Sequence, residues 1–270
     1  MKIAAYAMYG GSRGRGIANA TVAGARRHGF EAVVCGEFRG VEADVAVAYG
    51  WAHEEVFRAY RDAGRRFVYF DLGYWRREGQ TGFHRYAIDD WDTATFMLRD
   101  CPGDRFDALG VRLSWPVDRP DGTILLCGMS DKAAGTHGFA PGQWEGKAAE
   151  ELRKKYPDRE IVFRQKPNRQ TRHLAIPPLA EDMRRAAIVV SHHSNCSVDA
   201  LVAGVPSWAK KGVGSLFRSH RTIDGIALDP SWFPDEETRL QILRDVAYAQ
   251  VDVGEIERGV FFDIAKERLT

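Results

Sequence analysis

Residues 191–206 read SHHSNCSVDALVAGVP. The apolar run AAIVV (186–190) precedes them, and SWAKKG (207–212) follows. A short apolar run bounded by turn-forming residues reads as a buried strand, here 187–191. Ser194, Asn195, Cys196 and Ser197 then form the first turn of a helix over 198–203 that Gly204 ends. A helix start at the carboxyl end of a buried strand offers backbone N–H groups and a positive dipole end to an anion. Hydroxyls of Ser194 and Ser197 and the amide of Asn195 add donors. Asp199, in the same helix start, is placed to accept the hydroxyls of a ribose. The competing reading is structural, since Ser and Asn are preferred helix caps in any protein.

The surroundings favour the anion. GTILLCGM (122–129) is a strand that runs into Ser130 and Lys132, and EIVFRQKP (160–167) is a strand that Pro167 must end. Its FRQKP tail supplies Arg164 and Lys166. Three strand ends therefore bring small polar or cationic residues to one rim, which suits a nucleotide diphosphate at the carboxyl edge of an open α/β sheet. Helices over 144–156 and 179–186 connect these strands.

The first half alternates in the same way. Strands are expected at 2–8, 31–36, 43–50 and 65–73, with helices over 17–28 and 54–63, which implies a parallel sheet with crossover helices. The glycine-rich stretch at 9–16, YGGSRGRG, reads as a loop. It fails as a dinucleotide fingerprint, because the spacing of Gly11, Gly14 and Gly16 is wrong and no acidic residue is suitably placed at the second strand's end. Residues 75–115 read as irregular, and a linker falls near 115–121. Helices over 238–249 and 253–269 close the chain. The fold class is α/β, in two halves of similar build. The boundaries are 1–116 for the first domain, 117–257 for the second, and 258–270 for a terminal helix packing back on the first.

Asp71 follows the apolar strand FVYF, so it ends at the same kind of edge and is the candidate general base. A turn-forming Asp before Leu-Gly is the structural alternative. Gly11, Ser12, Arg13 and Arg15 in the loop, with Tyr74, Trp75, His84 and Arg85, are the candidate binding residues of this half. Adjacent histidines on a strand end point apart, and no third ligand is evident beside His192 and His193, so no metal site is expected. His193 is assigned to a phosphate or sugar instead.

Composition bounds the rest. The formal net charge is +1 over 270 residues, so no global field selects nucleic acid. Residues 1–85 carry 13 Lys/Arg against nine Asp/Glu, and 12 of the 13 are Arg, a side chain suited to phosphates. The four cysteines are scattered without a C-x-x-C pair, which argues against disulfides and points to a reducing, cytoplasmic setting. No run approaches a membrane span and no signal peptide is legible, so neither a membrane nor an obligate protein partner is expected.

The run SNCSVDALVAGVPSW resembles the nucleotide-sugar-binding domain of GT-B glycosyltransferases, with its small-residue turn, acidic helix position and Gly-x-Pro turn. With AVAYGWAHEEVFRAYRDAGRRFVYFDLGYW, HRYAIDDW, FRQKP, PLAEDMRRAAIVVSHHSN and GEIERG, the whole chain resembles small glycosyltransferases of phages and prophages. The family's acidic position is often Glu where this chain has Asp199, and the chain is short for the fold. The resemblance implies two Rossmann-like domains facing a cleft, the first (1–116) binding the acceptor through the candidates named above and the second (117–257) binding the donor, in a hexosyltransferase that uses a nucleoside-diphosphate sugar, a UDP-sugar foremost. A divalent ion carried by the donor is compatible but not required. It implies a 5-hydroxymethylpyrimidine of phage DNA as acceptor, flipped out of the duplex, in the cytoplasm of an infected or lysogenic host. A cell-surface glycan or small-molecule acceptor, and a non-catalytic nucleotide- or nucleic-acid-binding protein of the same fold, are the alternatives.

Overall fold

The computed structural model describes residues 1–95, 97–116, 118–166, 178–217 and 233–269. The chain divides into two compact units, Met1–Leu109 with Arg244–Thr270, and Gly110–Leu243. The return to the first unit thus starts at Arg244, not at the 258 expected from sequence. The terminal elements supply a strand and two helices to the first unit, not a single helix.

The first unit is built from β1 (Lys2–Tyr6), α1 (Gly11–Arg27), β2 (Glu31–Cys35), β3 (Val45–Tyr49), α2 (Glu54–Asp62), β4 (Arg66–Leu72), β5 (His84–Ile88) and α3 (Asp104–Leu109). The second unit contains β6 (Thr123–Cys127), α4 (Asp131–Thr136), α5 (Gln143–Lys155), β7 (Ile161–Arg164), α6 (Leu179–Arg185), β8 (Ala186–Ser191), α7 (Cys196–Ala203) and β9 (Ser207–Ala209). Helix α8 (Glu236–Tyr248) leads back to β10 (Gln250–Val251), α9 (Val253–Arg258) and α10 (Val260–Leu269).

The first sheet has the order β10-β5-β4-β3-β1-β2. Strands β1 to β4 are parallel, whereas β5 runs antiparallel to β4 and β10 antiparallel to β5. Strand β5 lies in the stretch expected to be irregular. Its sequence HRYAI keeps four of its five residues buried, so burial rather than alternation marks it. One face of the sheet packs Ile3, Val45, Val47, Val68 and Phe70 against Ile17, Ile256, Phe261 and Phe262 of α1, α9 and α10. The other packs Phe67 and Tyr69 against Val56, Phe57 and Tyr60 of α2. Burying each large apolar side chain contributes about 1.5–3 kcal/mol.

The glycine-rich stretch is not a loop. Gly10 takes the left-handed conformation at φ 89° and α1 starts at the next residue. Small residues let the helix begin early and approach its neighbours closely. At Gly24 an added Cβ would lie 2.0 Å from the Ile256 carbonyl oxygen of α9, whereas at Gly16 it would meet nothing within 4 Å. Gly24→Ala is therefore expected to destabilise the protein by about 1–3 kcal/mol, and Gly16→Ala to stabilise it by up to ~1 kcal/mol. Urea melts of the two variants read both signs. Near the C-terminus the single helix expected over 253–269 is broken where Gly259 adopts φ 93°.

The second sheet is wholly parallel, in the order β7-β6-β8-β9. The chain starts in the centre with β6, steps out to β7, then returns to the other side of β6 with β8. The order therefore reverses between β6 and β8, which is where α/β sheets of this kind take ligands. Both faces are covered. Ile124, Leu126, Ile188 and Val190 pack on Trp144, Ala148 and Leu152 of α5, and Leu125 and Val189 pack near Met183, Cys196 and Ala200 of α6 and α7. The termination of β7 by Pro167 lies outside the described residues. Among the described residues no helix is long and apolar enough to cross a membrane.

Candidate functional site

The loops after β6 and β8 flank the point where the strand order reverses. The turn singled out from sequence thus stands at the expected edge, but its amides are not open. Ser194 Oγ accepts from the Cys196 amide at 3.3 Å. The amides of Ser197, Val198 and Asp199 donate to Ser194 O, Asn195 O and Asn195 O, at 3.3, 2.9 and 3.2 Å. Each N–H of the first turn of α7 already has an acceptor. The side chains divide as well. Cys196 and Ser197 are buried, and Ser197 Oγ lies 3.4 Å from Ser191 Oγ, so both are packing residues rather than ligand donors. His193, Ser194, Asn195 and Asp199 remain half-buried at the rim.

The neighbouring strand ends give a mixed result. Ser130 caps α4 by accepting from the Ala133 amide. Arg164 is ion-paired with Asp182 of α6, which neutralises the cation assigned to phosphate. Lys132 and Lys166 are exposed. Two further lysines join this rim. The Lys210 amide donates to Ser191 O at 3.2 Å and the Lys211 amide to His192 O at 2.7 Å, which fixes this exposed pair beside the β8 turn. The signal for them was the KK after the apolar strand SWA.

The two histidines do not point apart. Strand β8 ends at Ser191, so the alternation of a strand no longer governs His192 and His193. Their Nδ1 atoms lie 2.9 Å from each other. His137, at the carboxyl cap of α4, brings its ring to 4.6 Å from each, centroid to centroid. One ligand atom from each of the three lies within 4.8 Å of the others. His192 is 2% exposed and held edge-on by Trp144 and Phe139, at 5.4 and 5.6 Å. Burial, then the charges of His137, Lys210 and Lys211, push its pKa down to about 3. The third histidine is 55 positions upstream of His192, which is why the sequence reading missed it.

In the first unit Asp71 stands near the carboxyl end of β4, opposite Arg85 of β5. Its Oδ2 accepts from Arg85 Nη2 at 3.0 Å and from the Tyr69 hydroxyl at 2.9 Å, and its Oδ1 accepts from the Leu72 amide at 2.8 Å. Burial alone would raise its pKa. The Arg85 guanidinium, the Leu72 amide and the Tyr69 hydroxyl outweigh that and hold the carboxyl below its ordinary value. Arg85 is raised in turn, as the charge of Asp71 overcomes its own burial. The side chain of Asp71 is 32% exposed and that of Arg85 13%.

The acceptor candidates separate into two groups. Arg13 donates to the Tyr49 hydroxyl at 3.3 Å and to the Gly79 carbonyl, and the Tyr49 ring meets His84 edge-on at 5.6 Å. Burial, then the Arg13 charge, pushes the pKa of His84 down to about 4. Arg13, Tyr49, Asp71, His84 and Arg85 thus form one polar cluster, to which Tyr49 is an addition. Tyr74 is 3% exposed and belongs to the core, whereas Trp75 is half-buried and packs on Phe106 at 5.6 Å. Gly11, Ser12 and Arg15 lie in the first turns of α1, exposed.

No protein-family model matches this sequence, and no curated protein matches it either. Solved structures do. A β-Kdo 2,7 transferase of KpsC from Thermosulfurimonas dismutans superposes with a TM-score of 0.57 at 11% identity, covering 99% of this chain and 100% of that one. The fold is GT-B. A β-Kdo 2,4 transferase of KpsC from the same organism has a TM-score of 0.53 at 12% identity, covering 95% and 98% of the two chains. The likeness to these GT-B glycosyltransferases extends over the full length. The phage type named from sequence is a narrower matter than this fold.

Proposed function

We propose that the protein is a glycosyltransferase that moves a sugar from a nucleotide-activated donor to a hydroxyl acceptor. The observation that carries this is the full-length likeness to two GT-B transferases. The reversal of strand order between β6 and β8, rimmed by half-buried polar residues and lysines, supports the Gly110–Leu243 unit as the donor side. In this reading His193, Ser194, Asn195, Lys132, Lys166 and the Lys210–Lys211 pair meet the donor's phosphate, and Asp199 its ribose. A donor activated as a UDP-sugar is the starting expectation. The charge on the departing phosphate is offset by side chains, since the α7 amides are already engaged. Asp71 is the base, kept ionised by Arg85 and reachable through its exposed third.

A glycan hydroxyl is the acceptor class we carry forward. The two neighbours are Kdo transferases, and carboxylates neutralise several arginines of the first unit. Arg39, Arg58, Arg61, Arg65, Arg66 and Arg85 each pair with a carboxylate. Paired arginines bring little to a DNA backbone, whose binding depends on net cations. The 5-hydroxymethylpyrimidine acceptor therefore rests on sequence resemblance alone. The test is incubation with a panel of sugars activated as nucleoside mono- and diphosphates, beside a glycan acceptor and hydroxymethylated duplex DNA, read by mass. A sugar mass gained by the glycan with nucleotide released is the expected result. A gain on DNA alone overturns the acceptor class, and an intact donor in every arm overturns the transferase reading.

A further inference from the structure

Three histidines from two separate loops converge at the carboxyl edge of the second sheet, and the transfer chemistry above requires only one of them. Imidazole nitrogens bind zinc at about 2.0–2.1 Å, which places the ligands of a tetrahedral site roughly 3.4 Å apart. Here the His192 and His193 Nδ1 atoms are 2.9 Å apart, and all three ligand atoms fall within 4.8 Å of one another. Side-chain adjustments of an ångström close that gap. The set is the three-nitrogen type that leaves a fourth position open. Ring orientation is already fixed at one member, because His192 is wedged edge-on by Trp144 and Phe139. A way in exists, because His137 and His193 are half-buried rather than enclosed.

We propose that His137, His192 and His193 bind one divalent transition metal, zinc first, with an oxygen ligand completing the coordination. Imidazole suits zinc over magnesium or calcium, which take oxygen. Lys210 and Lys211 lie beside the turn and weaken the hold on a bare cation. The same charges favour an anionic oxygen at the fourth position. The proposal does not depend on glycosyl transfer, and its test contains no sugar donor.

The full chain, stripped of metal by chelator, is titrated with Co²⁺ as the spectroscopic stand-in for zinc. Saturation at one Co²⁺ per chain with the intense visible bands of four-coordinate cobalt, reversed by one equivalent of Zn²⁺, is expected. His137→Ala and His193→Ala should each weaken binding at least about tenfold while keeping the parent's circular dichroism and melting temperature. Should a variant fail to fold, the cobalt-loaded parent decides, through hyperfine-shifted imidazole protons from three histidines in its NMR spectrum. Absent stoichiometric binding, a weak octahedral spectrum, fewer than three shifted rings, or folded variants that bind as tightly as the parent would overturn the site.

Discussion

Asp71→Asn lowers kcat by roughly two to four orders of magnitude, the range expected when a positioned general base is removed. The amide keeps the volume of the carboxylate, and its single oxygen can accept from either the Leu72 amide or the Tyr69 hydroxyl, which the carboxylate serves with separate oxygens. It loses the negative charge, which is the part that takes a proton from an acceptor hydroxyl. KM for the donor should move little, because the donor side is assigned to the other unit. A merely structural role is separated by pH. The folded-state pKa of Asp71 is depressed, so the stability it contributes is complete above the ordinary carboxylate value near ~3.9. That stability is lost as pH falls through the lower folded value. The parent should therefore lose stability and activity on an acid limb that the variant lacks. A variant that melts earlier yet turns over at the parent's rate would make Asp71 a partner for Arg85 and nothing more.

Arg105→Ala costs about 3–5 kcal/mol in urea denaturation, the range for removing one partner of a buried ion pair. Its guanidinium donates twice to Glu255, at 2.7 and 2.9 Å, and also to the carbonyls of Gln250 and Ala247, at 2.9 and 3.3 Å. The two side chains are only 14% and 16% exposed. Alanine leaves the Glu255 carboxylate without its cation, with the Asp252 amide still donating to it, and removes a donor from both carbonyls at the point where the C-terminal segment rejoins the first unit. Glu255 also belongs to the capping box that starts α9, so that helix should fray with it. Limited proteolysis should then cut between 250 and 259 in the variant and spare the parent. Replacing both charges, as Arg105→Met with Glu255→Leu, should recover part of the loss. A single variant within ~1 kcal/mol of the parent would show that water already screens the pair.

What the sequence disclosed follows from how local its signals are. The buried strands carry continuous apolar runs, and Gly204 stops α7 by a conformation the residue adopts cheaply, φ 71°. Alternation of strand and helix then led to the α/β fold. The glycine-rich stretch misled, because Gly14 serves close packing inside a helix rather than a loop. Strand β5 hid among aromatics because its pairing is set by β4 and β10, both outside its own window. Asp71 and Arg85 were each singled out, but their mutual ion pair depends on the β4–β5 register. At the β8 turn, sequence named Ser194 to Ser197 as a set. The chain instead turns Cys196 and Ser197 inward and spends the amides on its own carbonyls. His137 belongs to a different loop, and nothing at positions 192 and 193 announces it.

The proposed transfer requires a sugar nucleotide to sit against the loops that follow β6 and β8. Hydrogen exchange with and without a turned-over sugar nucleotide tests this directly. Slowed exchange is predicted over 128–133 and 192–197, with the α1 start unchanged. Protection confined to the first unit, or no protection at saturating donor, would contradict it.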